Sequence, residues 1–446
     1  MAVIFVYALF AASCIGAFYR PFYGVAGYLA FVSLCPQWSW RYTLPDPDFA
    51  FQKYISVATL TSYTLSGFKG QRLVGKARQA ALCGLGFLLL CFVSSFQSIK
   101  PEASSFYIST MGKIFLMLYV GIKLIDDERK AMIAAWVILA GVGWNAWYLN
   151  ADFLSRGYSL VNLPGNEYAF MNANGYAFVL MVVAILGVAV GVLEQRIPRS
   201  LAALAVSLLC IHAIYILESR GCMIGLLLSA AIFCWYLPKT HSAMMRVGIA
   251  AALALAIAGP SVVKEFMSSF EAERDTSAES RFYLWDAGAR ITFDYPLLGV
   301  GPWAGEWIVP AYYHFGQDVL LLPNKALHNL TLEIATGCGI PAMLAYFGLF
   351  FLPLLPLRKA VVRPETRNVH RIIGLAGLAT IPGYWLASQF NSGALIEVPY
   401  LILGLTLAVA NQCTMVAADV ASASTATIGS PSYAGSEAQY RRTTSG

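Results

Sequence analysis

Long apolar runs separated by short polar links occupy most of the chain. Runs near 2–19, 22–36, 53–66, 80–96, 106–125, 131–149, 176–193, 201–217, 221–237, 243–259, 331–357, 371–388 and 394–412 read as helices that cross or enter a hydrocarbon core about 30 Å thick. They do not alternate apolar and polar positions, as barrel strands would. In lipid only helices and closed barrels satisfy the backbone. The pattern therefore predicts an all-α polytopic membrane protein with about 12–13 transmembrane helices. The second and third runs are short, and tilting or merging there would lower the count. One long polar segment, 260–330, interrupts the pattern. The chain thus divides into an N-terminal transmembrane bundle (1–259), a large loop (260–330), C-terminal transmembrane helices (331–412) and an Ala/Ser/Thr/Gly-rich stretch, 413–446, that reads as a disordered tail. The first charge, Arg20, follows the first run, so that run reads as a membrane helix and not a signal peptide.

Charge gives the bundle a direction. Lys69, Arg72, Lys76 and Arg78 share one link, and Arg129 with Lys130 lie two crossings later. Arg196 and Arg199, then Lys239 and Arg246, then Arg358, Lys359, Arg363, Arg367 and Arg371 follow on alternate links. All fall on one side, which the positive-inside rule makes cytoplasmic. The large loop then lies on the extracytoplasmic side. Composition agrees: 58% of residues are hydrophobic and 12% charged, against about 25% charged in soluble domains. The nine cysteines show no metal-ligand spacing and read as apolar fillers. Gly187 and Gly191 mark close helix packing.

The large loop reads as folded. Thr276 to Glu279 form a capping box, a helical stretch follows, Pro296 stops it, and LGVGPW makes a glycine turn. Arg274 and Arg281, seven apart, would share one helix face, with Arg290 pointing elsewhere. Arg281 lies inside the capped helix and is the better-held cation. Ion pairing with the loop's own acids is the plain alternative for most of these arginines. Arg220 opens an apolar helix, either as a snorkelling anchor or as a functional cation. Arginine forks match diphosphate oxygens. His328 sits in NKALHNLTLEIATG, where the loop re-enters the membrane, and could act as a general base or only as an interfacial hydrogen-bonding group. His314 is an alternative, while His212 and His241 are poorer candidates. Asp46 and Asp48 form a D-x-D, which reads more readily as a turn than as a metal site.

Four segments, in this order, resemble the O-antigen ligase and polymerase superfamily of bacterial envelopes. They are NANG at 172–175, SRG at 219–221, SRFYLWDAGARITFDYPLLGVGP at 280–302 and HNLTLEIATGCGIPAMLAYF at 328–347. YRPFYGVAGYLAFVSLCPQWSW with LPDPDFAF further resembles the exosortase-associated branch, described as O-glycosylation ligases. The resemblance implies a GT-C-like membrane glycosyltransferase in the bacterial inner membrane, active on the periplasmic face without metal or cofactor. It implies inverting transfer of a glycan from an undecaprenyl-diphosphate carrier to an acceptor hydroxyl. A glycan, a lipid A-core or a protein could supply that hydroxyl. The other expected partners are membrane lipids, with no nucleic acid. By the same resemblance Arg220, Arg281 and His328 match the catalytic residues. Arg274, Arg290, Asn172, Asn174 and Glu333 are expected to help bind diphosphate or glycan. NANG stands where many relatives have N-P-N, which loosens the assignment of Asn172 and Asn174. A repeat-unit polymerase would use the same chemistry. A lipid-linked glycan transporter or flippase would instead need charges or broken helices at mid-span.

Overall fold

The computed structural model describes residues 2–40, 42–46, 48–159, 161, 172–268, 276–313 and 324–428. Every predicted run coincides with a helix. In chain order these are α1 (Ala2–Tyr19), α2 (Pro21–Leu34), the single turn α3 (Pro36–Ser39), α4 (Phe51–Leu65), α5 (Gly75–Ser95) and α6 (Pro101–Leu124). Next come α7 (Glu128–Arg156), α8 (Ala173–Leu193), α9 (Ile197–Ile216), α10 (Arg220–Tyr236) and α11 (His241–Ser268). The polar segment carries α12 (Thr276–Asp294) and α13 (Gly305–Tyr312). The chain then forms α14 (Leu330–Phe351), α15 (Leu354–Ala360), α16 (Asn368–Ala387) and α17 (Val398–Ile428). Among the described residues there is no strand, and 8 helical segments are long and apolar enough to cross a membrane. The protein is an all-α polytopic membrane protein.

Local chemistry sets the helix ends. Proline opens α2, α3, α6 and α9, where a missing N–H costs nothing. Asp127, Asn172 and Asn329 cap α7, α8 and α14 with side-chain oxygens. The buried α8 lies at the centre of the bundle. A Cβ at Gly187 would stand 2.9 Å from the Ala203 carbonyl, and one at Gly191 would press on Leu204. The glycine pair is therefore where α8 and α9 touch.

The basic links gather at one end of the bundle. Gln71 Nε2–H donates to the Ile122 (2.6 Å) and Ile125 (2.9 Å) carbonyls. Arg367 pairs with Glu128, Asn368 Nδ2–H donates to Leu193 O (3.1 Å), and Arg246 donates to Glu194 O (2.6 Å). The alternation read from charge thus appears as physical contact between the links themselves.

Two boundaries differ from expectation. Helix α11 continues past 259 to Ser268, and α17 continues to Ile428, into the stretch 413–446 expected to be a disordered tail. Its Ala-rich sequence favours helix despite its polarity.

The single run at 331–357 is also more than one rod. Helix α14 is broken at Gly339 (φ 85°, ψ 168°), two residues before Pro341. Pro341 has no N–H to offer the Gly337 carbonyl. The glycine turn supplies one: Gly301 N–H donates to Gly337 O (2.9 Å) and Val300 N–H to Thr336 O (2.9 Å). In return Ile340 N–H donates to Pro296 O (2.8 Å). The turn is also fastened to the α5–α6 link and the first turn of α6, through Ile99 N–H to Val300 O (3.0 Å) and Ser104 Oγ–H to Pro302 O (2.8 Å). Leu284, Ala287 and Ile291 of α12 bury against Val300, Val309 and Leu327. The described part of the loop is therefore folded around its own small core.

Candidate functional site

His328 stands just before α14, at the end opposite the basic links. It is half-buried and has φ +51°, a left-handed conformation uncommon outside glycine. Buried neighbours hold it there. Asn329 Oδ1 accepts from Leu332 N–H (3.1 Å), and Leu330 N–H donates to the Ser388 carbonyl (2.8 Å). His328 Nδ1 faces Asn391 Oδ1 at 3.4 Å. With the amide oxygen so oriented, the matching tautomer carries its proton on Nδ1 and leaves Nε2 basic. Burial pushes the imidazole below its ordinary value of 6.5, Asn391 pulls it up, and the Arg281 and Lys325 cations push it down. Titration of labelled histidine in the full-length protein is expected to show His328 with a midpoint below 6.5. A midpoint above that value would contradict this electrostatic picture.

Arg281 reaches the same place from α12. Trp285 and Gly288 follow it at four and seven positions, on one helix face. A Cβ at Gly288 would lie 3.1 Å from Leu327 and 3.2 Å from Leu332, so that face looks onto the segment carrying His328. The Trp285 ring lies 5.9 Å from that of Phe390. Arg220 is the first residue of α10, which runs close against α16. A Cβ at Gly225 would lie 2.6 Å from the Gly383 carbonyl, and one at Gly221 would lie 3.1 Å from Phe390 Cβ.

The segment 388–391 is therefore the meeting point. Ser388 holds the start of α14, and Gln389 Oε1 accepts from Thr331 Oγ1–H (2.8 Å). Phe390 touches the helices carrying Arg220 and Arg281, and Asn391 faces His328. Sequence reasoning missed this segment, because SQFN carries no motif and lies about 60 residues from His328 in the chain.

Three buried polar atoms nearby make no hydrogen bond among the described residues: Trp285 Nε1, Glu333 Oε2 and Ser392 Oγ. Glu333 lies in the first turn of α14, where the helix dipole favours an acid. Glu306, on α13, accepts from Trp303 Nε1–H (3.1 Å), and burial raises its carboxyl above the usual range.

Other expected residues sit elsewhere. Arg290 pairs with Asp286 at 2.6 Å on the exposed face of α12, the plain ion-pair alternative. Asn172 spends its side-chain oxygen on the Gly175 N–H (2.7 Å) as the cap of α8, and Asn174 is exposed in the next turn. Arg274 and His314 lie outside the described residues. Asp48 N–H donates to Asp46 Oδ1 (3.0 Å), which makes the D-x-D a turn. Among the described residues no group of three or more His, Cys, Asp or Glu could hold a metal ion.

No curated protein matches the chain at a significant level. The resemblance of the N-terminal segment to the exosortase-associated branch lies outside the matched region described next. Residues 204–347 run from α9 through Arg220, α12 and His328 into α14. They match the family model described as O-antigen ligase, a match that supports placing the chain in the O-antigen ligase superfamily, with a membrane glycan-transferring activity.

Proposed function

We propose that the chain transfers a glycan from an undecaprenyl-diphosphate carrier to an acceptor hydroxyl, with inversion and without a metal ion. We further assign the end bearing His328 to the periplasmic face of a bacterial inner membrane. The observation that carries this reading is the convergence of Arg220, Arg281 and His328 on residues 388–391. As the anomeric C–O bond to the diphosphate breaks, charge grows on the leaving group. Fixed guanidinium groups aimed at that charge are worth about 3 kcal/mol each. The acceptor oxygen forms the new bond to the anomeric carbon from the opposite side, and its proton passes to His328 Nε2. The lowered pKa of His328 keeps that nitrogen unprotonated at neutral pH. Glu333 and Trp285 offer an unused acceptor and donor for sugar hydroxyls. Arg290, paired with Asp286, and Asn172, the cap of α8, are given no role in this step. An apolar groove of about 330 Å³ between α5 and α6, floored by Leu349, suits part of the polyprenyl tail.

The break in α14 is a feature that the transporter reading would also predict. Here the freed Thr336 and Gly337 carbonyls are taken up by the glycine turn, so they are not left to a solute. Polymerisation and ligation differ only in acceptor. Glycan analysis of a deletion strain tests the reading: full-length lipid-linked chains are expected for a lost ligase and single repeat units for a lost polymerase. An unchanged glycan profile would overturn both.

A further inference from the structure

A polar cavity lies at the same end of the bundle, away from the arginines. Its volume is about 430 Å³, within the roughly 300–1,000 Å³ usual for small-ligand sites. Ser33 at the end of α2, Asp48 and Gln52 around the start of α4, Asn145 of α7 and Glu397 before α17 line it. Its walls are fixed by hydrogen bonds. Asn145 Nδ2–H donates to the Ser33 (3.0 Å) and Leu34 (3.1 Å) carbonyls. Gln37 Nε2–H donates to Gln52 Oε1 (2.6 Å), and Tyr28 O–H donates to Glu397. One group in the wall is unused. Ser33 Oγ is buried, with Ser33 only 2% exposed, and it makes no hydrogen bond among the described residues.

The lining suggests a ligand class. It holds two acidic side chains and three carboxamides but no Lys, Arg or His. A diphosphate would be repelled there, whereas hydroxyl-rich groups would find acceptors and donors. The cavity is also tied to the arginine and histidine group by one short link. Asn391, facing His328, and Glu397, in the cavity wall, both lie between α16 and α17.

We propose that this cavity is a saccharide subsite, which holds sugar units through hydroxyl hydrogen bonds to Glu397, Asp48, Gln52 and Ser33. The proposal rests on the glycan-transfer reading and adds to it a division of labour. Charge is handled at Arg220 and Arg281, and sugar identity is read six residues along the α16–α17 link.

The test uses the full-length protein in nanodiscs and three probes. They are oligosaccharides freed by mild acid from the cell's lipid-linked pool, glycan cut from the finished acceptor, and inorganic diphosphate. Ser33→Ala removes a hydroxyl that has no partner to lose, and Glu397→Gln keeps an oxygen for Tyr28, so both are expected to fold. A glycan probe is expected to bind the unaltered protein. Losing one hydrogen bond to a neutral group costs a few-fold, and one to a carboxylate about tenfold. Glu397→Gln should therefore weaken glycan binding about tenfold and Ser33→Ala by less, with diphosphate binding unchanged. Binding of the first probe alone identifies the donor's sugars as the occupant, and of the second alone the acceptor's. No glycan binding, or equal binding to all three proteins, would overturn the subsite. Loss of the transfer reaction is scored separately, in membranes containing the unaltered protein. Absence there would refute the glycan-transfer reading itself, whereas normal transfer with unchanged KM in both variants would refute only the subsite.

Discussion

Replacing His328 by alanine is expected to lower glycan transfer roughly 10²–10⁴-fold, the usual contribution of a general base. The proposed step needs a proton acceptor within reach of the attacking hydroxyl, and His328 is the half-buried, neutral imidazole at the meeting point of α12, α14 and α16. The substitution should leave the protein inserted and folded. The hydrogen bonds that fix this stretch come from Asn329 and Leu330, not from the imidazole. Because His328 has φ +51°, a second variant, His328→Gly, suits the backbone better and guards against a folding artefact. Both variants should retain lipid-linked donor unspent. Transfer at the normal rate by either well-inserted protein would remove His328 from the mechanism.

Arg281→Ala is expected to lower transfer about 10²–10³-fold, the scale of losing one preorganised donor to a developing negative charge. Arg281→Lys should recover only part of this, since an ammonium cannot reproduce the planar fork. A second readout separates a role at the site from a scaffolding one. The Arg281 cation holds the His328 imidazole down. Removing it should raise the His328 pKa, so the acid limb of kcat/KM moves to higher pH. Arg281→Lys should keep the limb near its original position. An arginine that served only to pack α12 would lower activity without moving that limb, and this outcome would sink the assignment. Arg220→Ala should match the loss in rate.

Much of this molecule was legible in its sequence, for reasons that can be named. Each membrane helix announced itself by an apolar run, because lipid leaves no other option for the backbone. The links that share one end were legible from Lys and Arg alone. The preference for Arg281 over Arg290 came from the capped helix, which fixes a face, and Arg290 is found in an exposed pair with Asp286. Asn172 shows the limit. Its type fits both a ligand and a helix cap, and only geometry shows its oxygen already engaged by the Gly175 N–H. The break in α14 and the role of residues 388–391 were not legible. Both depend on backbone groups meeting across long separations, and main-chain carbonyls leave no trace in residue types. The helical continuation of α17 was missed because a polar, small-residue composition was read as disorder, although alanine is the strongest helix former.

The amide exchange between the glycine turn and broken α14 also has a consequence for how this sequence can vary. Val300 and Gly301 meet Thr336 and Gly337 in register, while Ile340 reaches back to Pro296. Gly301 stands five positions after Pro296, and the same stretch must also meet the α5–α6 link at Val300 and the start of α6 at Pro302. One inserted or deleted residue would displace several of these partners at once. Side chains here can change more freely than length, so this short turn works as a ruler within an otherwise adjustable loop.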